Sequence, residues 1–287
     1  MFASLAALAL AAAPATGPAP IAEWQKQCAG KDGWSDPAPP IRIYGNTYNV
    51  GTCGIVVILV IGPQGHVLID GATTAAVPGI AANVKRLGLR MRDIKWLLNS
   101  HEHIDHAGGL AALKRLTKAR LAARAPAVRS LTTGKTDPAD PQAGLIDEFA
   151  SVRVDRVIRD GEQIKVGKLV LTAHATPGHT AGGTSWSWRA CKGYICWRTL
   201  FADSISAPSR DGYRFTDHPE RVAPYRKTFA MLAAHGCDIL VTPHPAASNL
   251  IDRLAGKAPL INHGACDAYA ERGRIALDKR LADGAKK

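Results

Sequence analysis

Between residues 101 and 106 the chain carries His101, His103, Asp105 and His106. Neutral imidazole nitrogens and carboxylate oxygens are ordinary zinc ligands, and four in so short a stretch exceed what isolated structural histidines produce. In extended backbone alternate side chains share a face, so His101, His103 and Asp105 can converge on one side. A turn at Gly108 then swings His106 to a second side, and one loop can serve two neighbouring ions. His179, in Thr176-Pro177-Gly178-His179, and His244, between Pro243 and Pro245, supply further ligands. His66, His174, His218, His235 and His263 lack that combination of strand end and turn residues and read as core or surface. Bound zinc lowers the pKa of water from about 15.7 to near 7, which supplies a nucleophile at neutral pH. Gly-x-Ser-x-Gly is absent, so a serine-hydrolase reading has no support.

The elements that must position these residues are legible around them. Ile94-Lys95-Trp96-Leu97-Leu98-Asn99 reads as a strand running directly into the histidine cluster, followed by a Gly108-Gly109 break and a helix over Leu110 to Leu116. The cluster therefore sits in a strand-to-helix loop, where rigid scaffolds present chemistry. Ile55 to Ile61 and His66 to Asp70 are β-branched runs joined by Gly62-Pro63-Gln64-Gly65, a hairpin of buried strands. Thr74 to Leu87 reads as a helix with Pro78 in an early turn. In the second half, strand-like Leu169 to Ala173 leads to His179 and Ile239 to Thr242 leads to His244, with helices over Pro219 to Ala234 and Asp267 to Leu281. The Pro-rich segment around Asp36 to Pro40 reads as irregular, which places the start of the fold proper near Ile41. Two rounds of strands and flanking helices without strict βαβ alternation predict an α+β fold, a four-layer sandwich of two mixed sheets with helices outside.

The 287 residues are 46% hydrophobic and 21% charged, a balance that suits a packed globular chain and excludes a disordered one. The net charge of +12 is spread over Lys85 to Arg92, Lys114 to Arg120 and Arg272 to Lys287 in helix-like patterns without interleaved aromatics. These read as solvated helix faces, not a nucleic-acid groove. Phe2 to Ala13 form a short Ala/Leu run ending in small residues and Pro14, the pattern of a signal peptide and too short to span a bilayer. The expected organisation is a leader over 1–20, a single domain over 21–287 and no membrane span. Six cysteines, Cys28, Cys53, Cys191, Cys196, Cys237 and Cys266, fit the oxidising compartment beyond such a leader, the periplasm. Sequence permits about fifteen pairings. Cys191 and Cys196 flank a turn and can close a hairpin locally.

Ser100-His101-Glu102-His103-Ile104-Asp105-His106-Ala107-Gly108-Gly109 resembles the HxHxDH signature of the metallo-β-lactamase superfamily. Pro177 to Trp186, Phe201-Ala202-Asp203-Ser204-Ile205-Ser206-Ala207-Pro208 and Thr242 to Ser248 are similar to secreted subclass B3 members, and the resemblance runs from about Gly45 to Ala282. It implies an αββα sandwich with two zinc ions per chain, one held by His101, His103 and His179, the other by Asp105, His106 and His244. It implies that Ser204 and Ser206 bind the substrate carboxylate, and that Cys237 pairs with Cys266, Cys28 with Cys53 and Cys191 with Cys196. Its activity would be hydrolysis of the β-lactam amide of penicillins, cephalosporins or carbapenems by a zinc-held hydroxide that Asp105 orients, in a monomer with no nucleic-acid partner.

Within this resemblance Glu102 points away from the ligand face. Glyoxalase-like members bridge their metals with an Asp in a segment similar to Ala202-Asp203, so a metal-facing Asp203 implies a lactone or thioester hydrolase instead. A zinc-binding or nucleic-acid-binding protein without turnover is the reading from a different class. Thr132 to Gly144 reads as a mobile wall over the site, with Gln142 toward substrate.

Overall fold

A computed structural model describes residues 16–285. The apolar run Phe2 to Ala13, read as a leader, lies outside them. Seven strands form the first sheet: β1 (Ile41–Tyr44), β2 (Thr47–Asn49), β3 (Ile58–Val60), β4 (His66–Ile69), β5 (Ile94–Leu98), β6 (Arg120–Arg124) and β7 (Arg156–Ile158). Their spatial order is the chain order, antiparallel from β1 to β4 and parallel from β4 to β7. The second sheet contains β8 (Gln163–Val166), β9 (Leu169–Ala175), β10 (Thr184–Lys192), β11 (Ile195–Phe201) and β12 (Ile239–Val241), in the order β12-β11-β10-β9-β8, with only β11 and β12 parallel.

Strand side chains alternate between two faces, and here both faces are covered. Ile58, Val60, Val67, Ile69, Trp96 and Leu98 meet Ile164, Leu171, Ala173, Trp186, Phe201 and Val241 between the sheets. The intervening Leu59, Leu68 and Leu97 turn outward onto α2 (Val77–Arg86), α4 (Leu110–Thr117) and α5 (Val128–Thr133) through Ile80, Val84, Leu110, Leu113 and Leu131. On the far side, Leu200 and Leu240 pack on α6 (Pro219–His235) and α8 (Ala265–Gly284) through Tyr225, Phe229, Leu232, Tyr269 and Leu277. Burial on both faces explains why these strands read as unbroken apolar runs. The architecture is helix, sheet, sheet, helix, the sandwich expected from sequence.

The chain before Ile41 departs from expectation. Ile21–Gln27 forms a helix, α1, whose Trp24 is buried with Cys28, Ala38, Ile41 and Cys53 in a small separate core. Ala19 N–H donates to the Pro40 carbonyl at 2.7 Å, so ordered packing starts well before β1. Two short helices complete the fold, α3 (Ile104–Ala107) in the histidine loop and α7 (Leu250–Leu254) after His244. Cys28–Cys53, Cys191–Cys196 and Cys237–Cys266 are disulfides, and Cys191 faces Cys196 across the β10–β11 hairpin. No helix among the described residues is long and apolar enough to cross a membrane.

Candidate active site

The loops after β5, β9, β11 and β12 meet at one edge of the sandwich, where the strands they follow are buried and rigid. After β5 the backbone is held by Asp70, the residue following β4: its carboxylate accepts the Ser100 N–H at 2.6 Å and the Ser100 hydroxyl at 2.7 Å. Asp70 sits at φ +68° and Ala72 at +51°, left-handed values that non-glycine residues adopt at a cost and that cluster at functional sites. Gly109 lets the turn close, because a Cβ there would lie 2.2 Å from the Gly71 carbonyl oxygen.

This scaffold brings His101, His103 and His179 together, their donor atoms within 4.8 Å of one another, and does the same for His101, Asp105 and His106. His244 joins the second set: its Nε2 lies 3.4 Å from both His106 Nε2 and Asp105 Oδ2, and those two atoms are 3.0 Å apart. Ligands on a tetrahedral zinc at about 2.0–2.1 Å stand about 3.3 Å apart, so these separations suit a shared ion. The Nε2 of His101 is buried without a partner, the state of a ligand atom aimed at a cation. His244, with 38% of its side chain exposed, marks the open side of the otherwise buried cluster.

The ring nitrogens facing away from the cluster are held in turn. His101 Nδ1 donates to Asp203 at 2.8 Å, His103 Nε2 to Asp140 at 3.1 Å and His179 Nδ1 to the Ser206 carbonyl at 2.9 Å. His106 Nδ1 lies 3.3 Å from Asp70 Oδ2, close enough for attraction but without hydrogen-bond geometry. Such outer partners fix which nitrogen keeps its lone pair and raise its basicity. Asp203 therefore stands behind His101, on the side opposite the free Nε2, and belongs to neither set.

Burial, reinforced by neighbouring imidazoles, drives the pKa of His101 well below its ordinary value and that of His179 down to about 3, so both present lone pairs at neutral pH. Burial opposes charge on Asp105 and His106, yet their mutual attraction prevails. Asp105 is held well below the carboxylate range, and His106 is raised to about 10. Burial pushes Asp203 well upward.

Glu102 points away from the ligands, as alternation required, and accepts the Thr180 hydroxyl at 2.8 Å and the Gly182 N–H at 2.9 Å. It thereby ties the His101–His106 loop to the His179 loop. Only glycine fits at 182, since a Cβ there would meet Glu102 Oε2 at 2.5 Å. Ser204 is buried and Ser206 exposed, in the segment whose carbonyl holds His179. Gln142 is half-buried in a loop over 134–149 that begins after α5, so Thr132 and Thr133 belong to the helix and not to the wall. Asp70 and Asp140 escaped the sequence reading because single aspartates after a strand or in a Pro-rich loop carry no spacing signal. Asp70 at the end of a buried strand was the nearer to a clue.

The metallo-β-lactamase superfamily model matches residues 50–244. The chain belongs to that superfamily. The metallo-β-lactamase MIM-1 from Novosphingobium pentaromativorans is 49% identical with a TM-score of 0.90, over 92% of this chain and 98% of that one. MEM-A1, a subclass B3 metallo-β-lactamase from a soil metagenome library, is 40% identical with a TM-score of 0.84, over 89% and 100%. A hydroxyacylglutathione hydrolase of Bradyrhizobium is 30% identical over 142 residues, and the chain spans about half the length of such curated relatives. The structural neighbours of this superfamily member are thus B3 metallo-β-lactamases.

Proposed function

We propose that the protein is an exported, binuclear zinc β-lactamase of the B3 type, with a leader over 1–20 and one domain over 21–287, that opens penicillins, cephalosporins and carbapenems in the periplasm as a monomer and confers resistance. The observation that carries this reading is the pair of abutting donor sets, one of three histidines and one of Asp105, His106 and His244, on a chain alike to B3 β-lactamases along almost its whole length. Zinc in both sets would polarise the lactam carbonyl and lower the pKa of water to about 7.

The chain's own residues do the rest. His101, His103 and His179 would hold one ion, oriented by Asp203, Asp140 and the Ser206 carbonyl, and Asp105, His106 and His244 would hold the other. Asp105 would use the oxygen not shared with the imidazoles to accept a hydrogen bond from the attacking water and aim it. Ser204 and Ser206, next to the carbonyl that holds His179, receive the substrate carboxylate, and Gln142 faces the bound drug from the 134–149 loop.

Thioester hydrolysis, suggested by the hydroxyacylglutathione hydrolases that match over about half their length, is the competing reading. Support against it comes from Asp203, which backs His101 where a bridging carboxylate would face the metals. A panel of a cephalosporin, a carbapenem, a lactone and a glutathione thioester, offered to the zinc-loaded protein, separates the two. Turnover confined to the β-lactams is expected, and turnover confined to the thioester or lactone refutes the proposal. Ser204→Ala and Ser206→Ala should weaken binding of carboxylate-bearing β-lactams, and an equal loss on the corresponding ester removes the serines from that role.

A further inference from the structure

Asp140 touches two things at once. Its Oδ2 accepts His103 Nε2–H at 3.1 Å, and its Oδ1 accepts the Gln142 N–H at 2.8 Å, while the side chain is buried. The loop that carries both residues is closed at its base by Phe149 N–H donating to the Gly134 carbonyl at 2.9 Å. From the facing segment, Arg210 reaches it twice, with its backbone N–H on the Pro141 carbonyl at 2.9 Å and its guanidinium on the Asp140 carbonyl at 3.2 Å. Apolar packing holds this loop mainly at its base, where Phe149 lies against the outer core. Leu145 is exposed, and a cavity of about 250 Å³ lined by Glu102, His103, Thr136, Asp140 and Arg221 lies beside the Asp140–His103 contact. Thr136 Oγ1 is buried in this region with no partner. The loop's connection to the ligand cluster is thus a polar link through one carboxylate.

We propose that Asp140 is a positioning residue coupling His103 to the 134–149 loop, so that metal retention by the three-histidine set and ordering of the loop bearing Gln142 are one linked equilibrium. This rests on the metal-site reading above. With its proton fixed on Nε2 by Asp140, His103 offers Nδ1 to the metal. A metal on Nδ1 makes the Nε2–H a stronger donor and tightens Asp140, and through Oδ1 the turn at Gln142. Linkage is reciprocal: the factor by which bound metal favours the ordered loop is the factor by which the ordered loop favours metal. The occupied site therefore presents an ordered wall to substrate, and the metal-free site does not.

The test uses the full, disulfide-intact protein, zinc as the probe, chelator competition for affinity and amide hydrogen exchange over 139–145 for loop order. Removing zinc from the wild type should speed exchange at Gln142 and its neighbours. Asp140→Asn retains one carbonyl oxygen for two donors, and should weaken the affected zinc about 10- to 100-fold and leave exchange fast with or without metal. Arg210→Ala, which touches no ligand and guards against an Asp140 variant that fails to fold, should speed loop exchange and weaken zinc by a few-fold, no more than the factor by which zinc slows exchange in the wild type. A purely structural role for Asp140 would change exchange in both variants while leaving zinc affinity at the wild-type value, and that result overturns the coupling alone. A wild type that takes up no zinc overturns the metal-site reading and this inference with it.

Discussion

At the scale of single residues, the cluster works because His101, His103 and His179 each commit one nitrogen to Asp203, Asp140 or the Ser206 carbonyl and keep the other for the cluster. Glu102 does the same for the loops. It leaves no unpaired charge on the ligand face and joins two segments through Thr180 and Gly182. Glu102→Ala strands two buried donors and should cost about 1–3 kcal/mol, whereas Glu102→Gln keeps an acceptor for Gly182 and should cost less. Chemical denaturation of the two variants checks this, and equal midpoints for Ala and wild type contradict it. Away from the site, burial against His235 lowers His174 to about 4 while its Nε2 pairs with the Ser187 hydroxyl at 2.7 Å. Between that value and the ordinary 6.5 the unfolded chain binds the extra proton, so the stability His174 confers is full above pH 6.5 and lost as pH falls toward 4. His174→Gln should therefore be penalised more at pH 7 than at pH 4.5, and denaturation of both proteins at the two values reads the difference. The ligands were legible in sequence because strand ends, glycines and prolines bracket them. Asp70, Asp140 and the backing role of Asp203 were not, since each acts through a contact made by chain far away: His103 and Asp140 meet across 37 positions, His101 and Asp203 across 102.

At the scale of elements, long buried strands and amphipathic helices announced themselves. β4, β5, β9 and the helices α2, α4, α6 and α8 stand where apolar patterning placed them, to within a few residues. The elements that went unread are short or partly polar. β6, Arg120–Arg124, is flanked by charge, β7 has three residues, and α1 shows one buried side chain, Trp24. The disulfides act at this scale too. Cys191–Cys196 closes a hairpin already paired along its length, with a sequence separation of 5, while Cys237–Cys266 links the start of β12 to α8 across 29. Loop-closure scaling gives about 2 kcal/mol for the short loop and about 3.5 for the long one. Replacing Cys237 and Cys266 by Ser should lower the melting temperature more than the same change at Cys191 and Cys196, and the reverse order would show that the hairpin bridge does more than close its turn.

At the scale of the molecule, two sheets that share one core bring four loops to a common edge, and no single loop could hold the whole donor set. Native-state zinc should stabilise this arrangement by mass action, raising the melting temperature as free zinc rises and lowering it under chelator. The positive charge of +12 is not gathered at that edge by the sequence pattern, and the chemistry belongs to the buried ligands. The most direct test of the central claim is hydrolysis of a chromogenic cephalosporin and a carbapenem by the purified protein, before chelation, after it, and after zinc is restored. Turnover that vanishes with chelator and returns with zinc is the predicted result. Two bound zinc ions per chain with no turnover of either drug would contradict it.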